Sequence, residues 1–390
     1  MTIVFWISAL LLFHAYAGYA ISVWLVTRWS ADASGPGGGQ AGDSPLPRIA
    51  FIIPAYNERE VIVEKCRNTL ALDYPVDLIE IIVVTDGSTD GTQHLAGSVP
   101  GVRVLHQPQR AGKAAAMNRA VALVLDADIL FFSDANTMVS PDALLRMMRH
   151  YRHPETGGVA GEKKVLGSDG HPVRGEGIYW RYESVMKQLD ATFHSLIAAA
   201  GELLSLRKQL WTPIPEDTIL DDLFVTTMVC RSGLRFLYEP LALATEPPSP
   251  SLAMEQERKT RIACGSFQFM FRHPLLLSPF GHFRHWYTYV SRRVFRWVLA
   301  PLAIPVLYGS NLLIVLQEAS HDIYTWTLGA QTVFFALAGI GWMMSRFGIR
   351  QPAWLHAPFY FVFMHAGMYR GFLRFLSGRQ TSSWEKASRH

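Results

Sequence analysis

The sequence predicts a membrane-anchored α/β protein. A Rossmann-like, mostly parallel sheet lies between an N-terminal transmembrane helix and a C-terminal interfacial or transmembrane helical region. Three observations predict this. Uncharged apolar runs, close to the roughly 20 residues that cross a bilayer as a helix, sit at both ends of the 390-residue chain. Between residues 48 and 245, short β-rich runs alternate with helical patterns, the signature of a mostly parallel sheet covered on both faces. Charged residues make up 17% of the chain, against about 25% in an ordinary soluble domain. With 49% hydrophobic residues, that balance excludes a disordered chain and argues against a purely soluble one.

The first run, residues 3–27 (IVFWISALLLFHAYAGYAISVWLVT), has no basic segment before it and is long for a signal-peptide core, so a retained span is expected over residues 1–29. Residues 30–47 are rich in Gly, Ser and Pro and read as a flexible tether. At the other end, residues 297–316, 323–344 and 353–369 form three further apolar runs. The third is shorter and carries His356, Pro358 and His365. A basic tail follows it (Arg370, Arg374, Arg379, Lys386, Arg389), so this run is expected to be re-entrant or interfacial rather than a full crossing. The positive-inside rule puts Arg28, Arg292, Arg293 and Arg296 on the cytoplasmic side of the cell (inner) membrane, and with them the middle of the chain. The expected organisation is therefore a helix (1–29), a linker (30–47), an α/β domain (48–245), a basic motif with amphipathic interfacial helices (246–296), membrane helices (297–376) and a basic tail (377–390). Three scattered cysteines, Cys66, Cys230 and Cys264, offer neither a disulfide framework nor a zinc spacing. A net charge of +4 is too small for a nucleic-acid partner; membrane lipids are the expected surroundings.

Within the middle domain, strands are expected at 48–54, 79–85, 102–107 and 129–133, and helices at 58–70 and 114–125. Ligands bind such sheets at the carboxyl ends of strands. There the sequence places PAYNE (54–58), DGSTDGT (86–92), Arg-Ala-Gly-Lys (110–113) and Asp-Ala-Asn (134–136). One Asp after a strand is commonly a turn or cap residue; four polar clusters in strand order are not explained that way. Gly112 and Lys113 open a helix, where backbone N–H groups and an ammonium suit a diphosphate. The spacing is not that of a P-loop. Asp134 and Asn136 are hard oxygen donors on one side of an extended backbone and suit Mg²⁺ or Mn²⁺ bridging substrate phosphates. Asp86 and Glu58 are placed to accept hydrogen bonds from a base and a ribose; Pro54 and Tyr56 belong to the same binding edge.

Taken in order, PAYNE, DGSTDGT, GKAAAMN and SDANT resemble the nucleotide-sugar half of family-2 glycosyltransferases with a GT-A fold, over residues 48–265. With its flanking apolar runs the chain is similar to the membrane-embedded polysaccharide synthases of the cellulose, chitin and hyaluronan type. The resemblance implies a nucleotide-sugar donor, with Asp86 on uracil and Asp134 as first member of a metal-binding Asp-x-Asp pair whose second member here is Asn136. It implies that Asp222, with Asp221 beside it, is the general base in PEDTILDDLFV (215–225); Asp217 is an alternative in the same acidic turn. It puts Arg258 and Arg261 on the diphosphate-binding Gln-x-x-Arg-Trp motif, with Ile262 where relatives carry Trp, and Gly201 and Glu202 on the acceptor side. Tyr179, Trp180 and Tyr182 are candidates to line a glycan path, and a core aromatic cluster explains them equally well.

The expected activity is inverting, metal-dependent sugar transfer from a UDP-sugar to a growing polysaccharide, coupled to export and served by export or polymerisation partners. Single addition to a lipid acceptor, as by ceramide glucosyltransferases, is the alternative, which Ile262 favours. An inactive scaffold of an export complex is a third reading, against which Asp86, Lys113, Asp134 and Asp222 argue.

Overall fold

The structure, a computed structural model, describes residues 1–29, 45–166, 176–249, 251–280, 282–317, 322–349 and 351–378. Most of the expected tether, residues 318–321, residues 379–390 of the basic tail, and the side chains of Tyr179 and Trp180 lie outside the described residues. The chain divides into two compact units. One comprises Met1–Leu25, Arg174–Tyr179 and Ser251–Gln380; the other comprises Val26–Val173, Trp180–Pro250 and Thr381–His390.

The second unit is built on one mixed eight-stranded sheet, β3-β2-β1-β4-β7-β6-β8-β5. The strands are β1 (Ile49–Ala55), β2 (Ile79–Asp86), β3 (Val102–Gln107), β4 (Ile129–Phe132), β5 (Met138–Val139), β6 (Thr156–Val165), β7 (Leu204–Arg207) and β8 (Arg235–Glu246). Its first half is parallel: β1 pairs with β2 from Ile49↔Ile79 and with β4 from Ile49↔Ile129, and β2 pairs with β3. Every residue of β1 and β4 is buried, which explains why they read as continuous apolar runs rather than alternating ones. Phe51 and Phe131 stack across the pair, 6.0 Å between ring centroids. Ile62 and Cys66, Leu144 and Met147 add helix faces to the same core. Each such apolar side chain contributes about 1.5–3 kcal/mol on full burial.

The second half is where the sheet departs from parallel. β7 runs antiparallel to both β4 and β6, β5 runs antiparallel to β8, and only β6 and β8 are parallel. β6 (TGGVAGEKKV) lacks an apolar run because its neighbours come too close for side chains. A Cβ on Gly161 would stand 2.6 Å from the Ala242 carbonyl oxygen, and one on Gly158 would enter the Phe236 ring. Its buried charged residues are paired: Lys163 with Glu202 and Glu246, and Glu162 with Lys187 (3.0 Å) and the Tyr238 hydroxyl (2.6 Å).

The first unit is helical. Among the described residues, three helices are long and apolar enough to cross a membrane: Thr2–Trp29, Phe283–Gln317 and Ile323–Arg346. The stretch 283–296 and the apolar run after it thus form one 35-residue helix, with a π-type segment at Val290–Leu299, rather than an interfacial helix followed by a span. Residues Ala353–Leu376 form one continuous 24-residue helix around Pro358. Polar pairs tie these helices together: Tyr16 to His365 (2.6 Å), Ser22 to Tyr287 (2.6 Å) and His14 to Ser291 (3.0 Å). Such pairs are worth only about 0.6 kcal/mol each in a membrane, so close packing decides the arrangement.

The closest packing involves Gly367 and Gly371, four apart on helix Ala353–Leu376. A Cβ on Gly371 would meet Ala263, the Cys264 amide nitrogen (2.8 Å) and the Thr260 carbonyl oxygen (2.8 Å) of helix Leu252–Arg272. Backbone atoms cannot yield as a flexible side chain does. Gly371→Leu is therefore expected to lower stability by about 1–3 kcal/mol or more. Gly339→Leu, where nothing lies within 4 Å, is expected to leave it unchanged. Thermal unfolding of both variants in nanodiscs checks the pair.

Candidate active site

The site is assembled where β1, β2 and β4 end. The turn after β1 is stitched to the turn after β2 by side-chain caps. Asn57 sits at φ 54°, a left-handed conformation that Asn tolerates. Its Oδ1 accepts from the Thr89 amide (2.8 Å), and its own amide donates to Ser88 Oγ (3.1 Å). The Glu58 amide donates to Thr92 Oγ1 (2.9 Å) and the Arg59 amide to Asp90 Oδ2 (3.1 Å). The Ser, Asp and Thr of DGSTDGT thus satisfy backbone N–H groups of PAYNE, which fixes both motifs as one surface. Glu58 is buried and belongs to this scaffold rather than to the lining of the cleft.

The second layer is the loop before helix Lys113–Leu123. Gly87, at φ 68°, leaves room for it: a Cβ there would stand 2.8 Å from Arg110 Cβ. Asp86, 4% exposed, accepts from the Gly112 amide (2.7 Å) and the Ala111 amide (3.0 Å), with Arg119 at 3.8 Å. The carboxylate expected to meet a base is thus a tether for the loop that starts the helix. The Arg110 guanidinium lies 3.8 Å above the Tyr56 ring. Together Pro54, Ala55, Tyr56, Asp86, Arg110, Gly112, Lys113 and Ala116 line an open cleft.

At the end of this cleft, charge is concentrated. Lys113 Nζ donates to Asp134 Oδ1 (2.8 Å) and lies 3.0 Å from Asp221 Oδ2. Burial works against this ammonium, but the two carboxylates outweigh it and hold its pKa above the ordinary lysine value. Asp221 and Asp222 open helix Asp221–Arg231, where the helix dipole favours negative charge by about 0.3–1 kcal/mol. Gly201 faces the same point: a Cβ on it would stand 3.8 Å from Lys113 Nζ and 3.8 Å from Asp222 Cβ. Thr226 Oγ1 accepts from the Ala199 amide (3.2 Å) and donates to the Asp222 carbonyl (2.6 Å), so this turn and the helix move as one.

Of the residues singled out from sequence, Pro54, Tyr56, Asp86 and Lys113 line the cleft, and Asp134, Asp221, Asp222 and Gly201 gather around the ammonium. Glu202 is turned into the ion pair with Lys163. Asp217 is exposed on the preceding loop. Arg258 and Arg261 lie on helix Leu252–Arg272 of the helical unit, where Arg258 makes two hydrogen bonds to Glu255 (3.0 and 3.1 Å). Two residues went unnoticed in the sequence, Arg119 and Lys65, and Arg110, noted there only within Arg-Ala-Gly-Lys (110–113), was given no role of its own; Arg110 and Arg119 border the Gly112–Lys113 loop. Burial pushes the Lys65 ammonium down to about 7, with the charge of Asp134 acting the other way.

Among the described residues no group of three His, Cys, Asp or Glu is arranged to hold a metal ion by itself. Asp134 and Asn136 supply one carboxylate and one amide oxygen from a single turn. Magnesium-type cations are held by one or two carboxylates plus substrate phosphates, so this donor set fits a divalent ion that arrives with a diphosphate.

Comparison with known proteins agrees with this fold. Residues 50–202 match the glycosyl transferase family 2 profile. The poly-beta-1,6-N-acetyl-D-glucosamine synthase of Staphylococcus aureus is 27% identical over 238 residues, 58% of this chain and 56% of that protein. The match therefore spans about half the length of that relative. The beta-monoglucosyldiacylglycerol synthase of Nostoc sp. is 24% identical over 335 residues, 80% of this chain and 68% of that protein. Among solved structures, a mannosyltransferase of Pyrobaculum calidifontis in complex with GDP-Man and Mn²⁺ superposes with TM-score 0.69 at 20% identity, over 97% of this chain and 100% of that one.

Proposed function

Residues 50–202 form a family-2 glycosyltransferase domain of GT-A fold, and from that premise we propose that the chain transfers a sugar from a nucleotide-sugar donor to a growing polysaccharide. The observation that carries the reading is the Lys113 ammonium between Asp134 and Asp221 at the end of the cleft. In this reading the nucleoside lies along Tyr56 and Arg110. The diphosphate meets Lys113 and the first-turn N–H groups of its helix, which no helical carbonyl serves. Asp134 and Asn136 would hold Mg²⁺ or Mn²⁺, which supplies charge stabilisation for the departing diphosphate. Asp222 takes the proton from the acceptor hydroxyl as that oxygen bonds to the anomeric carbon. The bond from that carbon to the diphosphate oxygen breaks on the opposite face, so configuration inverts and the nucleoside diphosphate leaves with the electron pair. The relation to the Staphylococcus aureus synthase supports a glycan acceptor. The three apolar helices and the Arg residues flanking them support a multi-pass inner-membrane protein with this site on the cytoplasmic side, coupled to export.

A second reading, single addition to a lipid, is favoured by one observation: the Nostoc lipid glucosyltransferase aligns over more of this chain than the polysaccharide synthase does. The experiment is to give the protein in nanodiscs Mn²⁺ or Mg²⁺ and a panel of UDP-, GDP- and TDP-sugars, then to record nucleotide release and product size. A ladder of products from one donor is the expected result. A single lipid-linked product replaces the first reading with the second, and no turnover of any donor overturns both.

A further inference from the structure

We infer that Lys65 is a positioning residue for the donor site: its ammonium, buried in the sheet unit, fixes the turn that presents Asp134 and Asn136. The inference rests on the proposed reading for what that turn does, and on geometry alone for how it is held. Lys65 is 0% exposed. Its Nζ donates to Ser133 Oγ (2.7 Å) and to the Thr137 carbonyl (2.7 Å), the two residues that bracket Asp134, Ala135 and Asn136. The ammonium also lies 5.4 Å from the centre of the Phe51 ring, within cation–π range. Ser133 Oγ donates onward to the Glu202 carbonyl (2.8 Å), so the same ammonium orders the turn that carries Gly201.

Burying an ammonium costs several kcal/mol, and among the described residues no carboxylate touches it. A methionine of similar length would fill the space without that cost. What a methionine cannot do is hold a hydroxyl and a carbonyl, on the residues either side of a tripeptide, at fixed separation. The charge of Lys65 also lies close enough to Asp134 to interact with it through space. The residue thus acts on the site through the Ser133 to Thr137 turn and never touches a donor.

The test compares the full-length protein in nanodiscs with Lys65→Met, Lys65→Arg and Ser133→Ala. Hydrogen exchange is read peptide by peptide, and UDP and GDP are titrated with Mn²⁺. In Lys65→Met, exchange is expected to rise about tenfold over residues 133–139 and 199–204 but not over β1 or β2. Nucleotide affinity is expected to fall about tenfold while the unfolding temperature holds or rises. Lys65→Arg, which keeps the charge and two donors, is expected to recover part of both, and Ser133→Ala to loosen 199–204 fully and 133–139 only in part, since the Thr137 anchor remains. Unchanged exchange at 133–139 in Lys65→Met overturns the inference, as does a rise spread across the whole sheet with a lower unfolding temperature. Failure of the wild-type protein to bind either nucleotide counts against the proposed function instead, and the exchange arm still decides the role of Lys65.

Discussion

Asp222→Asn is expected to lower kcat by about 10²–10⁴-fold while nucleotide affinity and the unfolding temperature stay as they are. The two adjacent carboxylates are not equivalent. Asp221 Oδ2 lies 3.0 Å from the Lys113 ammonium, so that oxygen is committed to the charge cluster. Asp222 lies on the same first helical turn, with its Cβ facing the open position beside Gly201. Asn keeps the oxygen that accepts from the Leu223 amide (2.8 Å), so the turn survives the substitution and only the proton acceptor is lost. Asp221→Asn is expected to act differently, by weakening donor binding through Lys113. Steady-state kinetics and nucleotide titration on both variants separate the roles. If Asp221→Asn loses turnover and Asp222→Asn keeps it, the base is Asp221.

Lys113→Met is expected to reduce kcat/KM by about 10²–10³-fold, with loss in both nucleotide affinity and turnover. The substitution removes the ammonium that the diphosphate would meet, and it leaves Asp134 and Asp221 facing each other without a cation. Lys113→Arg is expected to restore only part of the loss. A single nitrogen now reaches both carboxylates, at 2.8 and 3.0 Å, whereas a planar guanidinium offers two separated nitrogens. Kinetics with a fixed donor, together with nucleotide titration, provides the check.

The parallel half of the sheet was legible because strands buried on both faces leave continuous apolar runs, as in IAFIIPA and IEIIVVTD. The half made by β6, β7 and β8 was not. β6 is glycine where Phe236 and the β8 backbone press against it, and its charges find partners, such as Glu202 and Glu246, far away in sequence. The edge that carries the site was legible for a related reason: strand ends are where short polar motifs collect. How the residues divide the work was not. Asp86 is expected to meet the base, and the structure adds a second task that the sequence does not announce: it accepts from the Ala111 and Gly112 amides. Lys65 drew no reading from the sequence, because nothing local announces Ser133 and Thr137 beside it. Likewise, the stretch up to residue 296 is expected from sequence to form amphipathic helices before the span, and helix Phe283–Gln317 runs from it into the apolar run without a break.

The account stands on one claim, that the cleft between Tyr56 and Lys113 receives a nucleoside diphosphate. An experimental structure of the protein in nanodiscs with UDP or GDP and Mn²⁺ tests it most directly. The account predicts the base beside Tyr56 and Arg110, and the diphosphate within hydrogen-bond reach of Lys113 Nζ, with the cation between it and Asp134. A nucleotide bound elsewhere, with Lys113 still closed between Asp134 and Asp221, would contradict it.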